Sequence, residues 1–203
     1  DLVYRTQEQL TNKLAALDNS ILKKVSLEKQ LVALEKEARI KLRQNKNKIE
    51  QYITNIIDMV DKEVNSHNYR PNDFLFIFPI MQSNLIAPEL ETKLNNYWID
   101  KFPENDKYMN YAFLHKHQEG QSIDMSESEE TSRIVTIRTS KGDGRKVVFV
   151  LECTEALLKI VSRSNELDLI YESHLHVALT RAKEKIYFGI KQNNDDIHKR
   201  FGC

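Results

Sequence analysis

Two short segments of this chain hold residue types suited to phosphate chemistry. The first is Thr136-Ile137-Arg138-Thr139-Ser140-Lys141-Gly142, followed by Val147-Val148-Phe149-Val150. The second is Val177-Ala178-Leu179-Thr180-Arg181-Ala182-Lys183, followed by Lys185-Ile186-Tyr187. The hydroxyls of Thr139 and Ser140, with the amides of their loop, match phosphate oxygens and position a strand without reading its sequence. Arg181 brings a planar, permanently charged guanidinium, a group suited to the charge of a phosphoryl-transfer transition state. The loop Ser140–Lys146 (SKGDGRK) is not a phosphate-cradling P-loop, because G-x-x-x-x-G-K-S/T occurs nowhere in the chain. Other chemistry finds less support. His115/His117 and His174/His176 are i,i+2 pairs, but no Cys or acidic cluster accompanies them to complete a zinc site. Cys153 and Cys203 are too few for a disulfide framework.

The elements that must position these segments differ between the two parts of the chain. Residues 1–70 contain no glycine and step their apolar residues by three and four: Leu10, Leu14, Leu17, Ile21, then Leu27, Leu31, Leu34, Ala38, then Ile49, Ile53, Ile56, Val60, Val64. That is a helical period. Its phase slips near Val25–Leu27 and through Lys41–Lys48, and Asp18-Asn19-Ser20 reads as a break and cap. Two or three helices, or one long helix with stutters, fit equally. A single helix here would be about 90 Å long at 1.5 Å per residue, and its apolar stripe calls for a helical partner, in a hairpin or a coiled coil. The basic stretch Lys41–Lys48 reads as a solvated face before it reads as a nucleic-acid contact.

From Pro71 the pattern becomes α/β. Asp73–Phe78 is a continuous apolar run and reads as a buried strand, with Phe74, Phe76, Phe78 and Trp98 as core rather than base-stacking platforms. Glu89–Trp98 is an amphipathic helix, Tyr111–His115 a strand, and 118–132 a polar, acidic surface loop. Strands at Ile134–Arg138, Val147–Leu151 and Lys185–Ile190 alternate with helices at Glu155–Ser162 and Glu172–Ala182, which predicts a layered α/β domain with a mostly parallel sheet.

The two segments together resemble motifs V and VI of superfamily 1 helicases of the UvrD/Rep/PcrA type. In that family motif V reads like T-I-H-x-S/A-K-G-x-E-F-x-x-V, and motif VI like Y-V-A-L/V-T-R-A-K/R. Lys141 and Arg181 stand 40 positions apart here, in the family's order and with its flanking strands. The resemblance covers roughly residues 71–190, with Asp73–Phe78 and the helix after it where motif IV would lie. It implies a RecA-like second motor domain at 71–203, which the helical arm or hairpin read at 1–70 precedes. It further implies that ATP, with Mg²⁺, binds mainly to a first RecA-like domain absent from this chain. Arg181 is then the arginine finger, an effect worth about 10³–10⁵ in rate. Lys141, Gly142, Asp143 and Thr180 line the nucleotide side, and Arg138, Thr139 and Ser140 meet single-stranded or duplex nucleic acid, DNA before RNA.

Several positions depart from the family. Arg138 replaces the motif V histidine, which keeps a phosphate-binding charge. Gly142-Asp143-Gly144-Arg145 stands for G-L-E-F, so the glutamate that meets the ribose is missing, with Asp143 one position away. Phe78-Pro79 stands where motif IV carries an arginine, Glu172-Ser173 where an Arg-Arg pair is usual, and His176 where the tyrosine is. About fifty residues separate Phe78 from Ile134, too few for the accessory domain of the larger enzymes. The chain is similar to compact members of the kind carried by large DNA viruses. These departures leave a second reading open, a non-catalytic scaffold or interaction module built from a helicase half.

The charge balance, 30 Lys and Arg against 30 Asp and Glu, argues against a globally basic nucleic-acid grip but not against local basic stretches. No signal peptide and no apolar run of membrane-spanning length occur in the sequence. A soluble, intracellular protein without a membrane partner is expected, in nucleus, cytoplasm or a viral replication site. A start at Asp1 without methionine reads as a piece excised from a longer protein.

Overall fold

The computed structural model of the chain describes residues 2–82, 84–115, 128–140, 142–154, 157 and 175–190. Helix α1 runs Leu2–His67 without a break. The interruption expected at Asp18-Asn19-Ser20 is absent. Asp, Asn and Ser cost a helix interior at most about 0.7 kcal/mol each relative to alanine, and no glycine or proline precedes Pro71 to stop the chain. The helix ends where Asn68 turns left-handed (φ 56°) and its amide donates to the Val64 carbonyl at 2.9 Å.

Two compact units divide the chain, 1–51 and 52–203. In the first, Leu10, Leu14, Leu17, Ile21, Leu27, Leu31 and Leu34 are all exposed. In the second, the same period builds a core, with Ile53, Ile56, Val60 and Val64 buried. The composition change at Arg70-Pro71 thus lies close to the end of α1, while the second compact unit begins inside the helix.

That unit is an α/β fold, as the alternation of elements predicts. After a 3-10 turn at Pro71–Asp73 come β1 (Phe74–Phe78), α2 (Ile86–Lys101), β2 (Ala112–Leu114), β3 (Ser132–Thr136), β4 (Arg145–Cys153) and β5 (Ala182–Ile190). The five strands form one sheet in the order β2-β3-β1-β4-β5, every neighbouring pair parallel. Side chains alternate between its faces. Leu75, Ile77, Val135, Val148 and Val150 pack with Leu175 and Ala178 on one face. On the other, Phe74 lies 5.4 Å from the Trp98 ring of α2, and Phe76 stacks on Phe149 at 5.0 Å. Trp98 donates from Nε1 to Ser132 Oγ at 3.0 Å, which joins α2 to β3. Phe74, Phe76, Phe78 and Trp98 are fully buried, so the core reading of these aromatics holds.

Residues 52–67 of α1 cover the β5 side of this second face. Glu63, at 1% exposure, accepts hydrogen bonds from Lys185 (2.6 Å) and from the Tyr187 hydroxyl. Burial pushes the Glu63 carboxyl up, but these donors outweigh it and hold it below the ordinary glutamate value. Among the described residues, no helix is long and apolar enough to cross a membrane.

Candidate functional site

The strand expected at Ile134–Arg138 ends earlier, at Thr136, and Ile137–Ser140 turn. A knot of short bonds makes the turn. The Ser140 amide donates to the Thr136 carbonyl (3.0 Å), and the Ser140 hydroxyl to the Ile137 carbonyl (2.7 Å). Thr136 and Thr139 join through their hydroxyls at 2.8 Å. Ser140 is fully buried, so both candidate phosphate hydroxyls are bonded inside the turn in this conformation. Arg138 is exposed on it. Lys141 lies outside the described residues, as do His117, His174 and the helix expected at Glu155–Ser162, Leu157 excepted. Gly142 is exposed and left-handed at φ +84°, a conformation that strains any residue with a Cβ.

Because β3 and β4 are parallel, the segment 137–144 must return from the C-terminal end of β3 to the N-terminal end of β4. Register sets the two levels, with Thr136 beside Phe78 and Val147 beside Phe74. The drop is about 20 Å at 3.3 Å per residue, which eight residues can span only without a helix of their own. Arg138 and Thr139 therefore sit toward one end of the sheet and Asp143–Arg145 at the other.

At the second end a buried polar cluster fixes the loop. Asp143 lies between Arg133 (Nη1 to Oδ2 3.0 Å) and Arg145 (Nε to Oδ1 3.4 Å), and all three side chains are only 10–11% exposed. The Oδ2 atom receives no well-directed hydrogen bond, so its contact with Arg133 is chiefly ionic. Arg133 Nε also donates to the Ser128 carbonyl (3.1 Å) and hydroxyl (2.9 Å). Arg145 donates to the carbonyls of Asn72 and of Glu129 (3.0 Å). Burial lowers the Arg145 pKa, opposed by Asp143. His115 Nε2 meets Ser128 Oγ at 2.8 Å; burial and the Arg133 charge push this imidazole below its ordinary value, Asp143 pulling the other way. Residues 128–131, read from sequence as part of an exposed acidic loop, form a turn in which Ser128 and Thr131 are buried. Ser128 is buried because it serves Arg133, Arg145 and His115 at once.

The helix expected at Glu172–Ala182 is described from residue 175 and ends at 179, so Arg181 stands in the turn after it rather than on it. Strand β5 claims Ala182, which pairs with Arg145. Ala178 and Leu175 anchor this helical end in the core. Thr180 is exposed, its hydroxyl donating to the Val177 carbonyl at 3.2 Å. The half-buried Arg181 donates from Nε to the same carbonyl (3.0 Å) and from Nη2 to Thr180 Oγ1 (3.2 Å). No carboxylate among the described residues pairs with it.

The two segments meet through the backbone: the Arg145 amide donates to the Arg181 carbonyl at 3.1 Å. A Cβ on Gly144 would stand 3.4 Å from that same carbonyl. The structure thus joins Asp143, Gly144 and Arg145 to Arg181, and leaves Arg138 and Thr139 toward the other end of the sheet. Phe78 and Pro79 are buried, so this position offers no cation. Among the described residues no group of three His, Cys, Asp or Glu side chains is disposed to hold a metal ion.

Arg133, Arg145, Ser128 and His115 were not singled out from sequence for this cluster. Their partners lie from 2 to 73 positions away in the chain, and the fold brings the distant ones together. No family model matches this chain. No curated protein matches it either.

Proposed function

We propose that this chain is the second, finger-bearing RecA-like lobe of an ATP-dependent helicase or translocase acting on nucleic acid inside the cell. The setting of Arg181 carries the reading. Its guanidinium is steadied by one carbonyl and one hydroxyl, no acid neutralises it, and Nη1 has no partner among the described residues. A group so held keeps its charge for an incoming phosphate and loses little freedom on meeting it. The nucleotide is substrate here. The lobe bearing G-x-x-x-x-G-K-S/T would hold its phosphates, and Mg²⁺ would sit there, since the described residues gather no carboxylate cluster. Closure of the two lobes would bring Arg181 to the γ-phosphate. The bond from the Arg145 amide to the Arg181 carbonyl would then pass that movement to the segment leading back to Arg138 and Thr139, where nucleic acid would lie.

Replacing Arg181 with Ala in the complete protein tests this. Turnover should fall by about 10³ or more while ATP binding stays within a few-fold. Turnover that survives within a few-fold removes Arg181 from the reaction. The purified 203-residue chain by itself should show no ATPase activity.

A second reading, a non-catalytic interaction module, draws on two observations. Asp143, the residue nearest the missing ribose-binding glutamate, is taken up by Arg133 and Arg145, and the motif IV position is the buried Phe78-Pro79. A complete protein without ATPase activity in the presence of nucleic acid would favour it.

A further inference from the structure

One face of α1, within the unit 1–51, carries a run of exposed cations that no core packing explains. Lys29, Lys36, Arg39, Arg43 and Lys46 are all exposed. Spaced by seven, three, four and three, they fall within an arc of about 100° on a helix of 3.6 residues per turn. The stripe is about 26 Å long at 1.5 Å per residue. Between positions 29 and 47 the other side chains of this arc are Val32 and Asn47, and Glu28 and Glu50 bound it at its two ends. Glu35 borders the arc about 20° beyond its edge, and Glu37 lies outside it and pairs with Lys41 at 2.7 Å. No carboxylate among the described residues pairs with any of the five. The apolar stripe of Leu27, Leu31, Leu34 and Ala38 lies about 140° away around the helix, so burying one does not cover the other.

We propose that this stripe binds the phosphate backbone of duplex DNA. Residues 9–51 contain no aromatic side chain, so a single strand would find no base-stacking platform there. Nor is there a Trp or Phe to seat the helix in a lipid interface. A rod about 10–12 Å across fits the roughly 12 Å major groove of B-form DNA, whereas the major groove of A-form RNA is deep and narrow. Cations on a single arc then face one strand of phosphates and carry no sequence preference.

This deepens the helicase reading by naming the form of nucleic acid that the arm meets. Its test needs neither ATP nor Arg181, so it stands or falls separately from the test of the finger. Binding of the 203-residue chain to a fluorescein-labelled 30-base-pair DNA is followed by anisotropy at 50–200 mM salt. Five phosphate contacts give a slope of log affinity on log salt near −4.5, at about −0.9 per contact. Affinity should then drop roughly 500-fold over that range. In K36Q/R39Q/R43Q/K46Q the drop should shrink to roughly 3–4-fold, with weaker binding at 50 mM and unchanged helix content by circular dichroism. An unchanged slope in that variant, or no binding by the parent chain, overturns the proposal. So does equal or tighter binding to 30-nucleotide single strands, to duplex RNA, or to phosphatidylserine vesicles with the same dependence on these four residues.

Discussion

Asp143→Ala gives the sharpest test of how the loop between β3 and β4 is held. Among the described residues the Asp143 carboxylate is ion-paired to both Arg133 and Arg145, and all three side chains are about nine-tenths withdrawn from water. Breaking a buried ion pair by deleting one partner costs about 3–5 kcal/mol, because the other charge is left uncompensated. Two features lower that figure here. Arg133 and Arg145 keep hydrogen bonds to the Ser128, Glu129 and Asn72 carbonyls, and Oδ2 loses no directed hydrogen bond. A loss of about 2–3 kcal/mol follows, or roughly 1–1.5 M in urea midpoint at about 2 kcal/mol per M. The assay is built into the chain. Trp98 is the single tryptophan, fully buried and bonded to β3, so its fluorescence reports the sheet unit. Asp143→Asn, which keeps the shape and loses the charge, should cost about half as much. In the double variant R133M/D143A one stranded charge is gone, so the combined loss should fall short of the sum by about 1 kcal/mol. An Asp143→Ala midpoint indistinguishable from the parent's would refute the idea that this carboxylate holds the loop.

Two further substitutions probe the packing of α1 on the sheet. Glu63 is held below the ordinary glutamate range in the folded chain, so its stabilising contribution is present above the unfolded value of 4.5 and is lost as pH falls through the folded value. Urea midpoints at pH 7 and pH 3.5 should therefore differ less for Glu63→Gln than for the parent, and an equal difference would show that another acid governs the drop. Gly189→Ala places a methyl 2.8 Å from the Tyr52 hydroxyl and 3.4 Å from the Val150 carbonyl. It should cost about 1–3 kcal/mol by overpacking, read as a lower melting temperature. Tyr52→Phe in the same chain should restore part of that loss, and no restoration would place the clash on the backbone side.

What the sequence determined by itself is the class of each element and the order of the chemistry-bearing segments. Short unbroken apolar runs such as Phe74–Phe78 and Val147–Leu151, rich in aromatic and β-branched residues, read as buried strands, and the three-and-four period of residues 53–64 reads as an amphipathic helix. The strings around Lys141 and Arg181 are local, so they too are legible without coordinates. What only the tertiary structure decided is everything that depends on which chain segments become neighbours. A helical period does not say whether its stripe is covered, and α1 is one helix in which Ile53, Ile56, Val60 and Val64 are buried while Leu10, Leu14, Leu17, Leu27, Leu31 and Leu34 are exposed. A polar loop sequence does not say that Ser128 will be withdrawn from water, since that follows from two arginines arriving from other strands. Arg181 itself, an arginine at the end of a helix in the sequence, gains its setting from the parallel pairing of β4 and β5. That pairing stops the helix at residue 179 and sets the Arg181 carbonyl against the Arg145 amide.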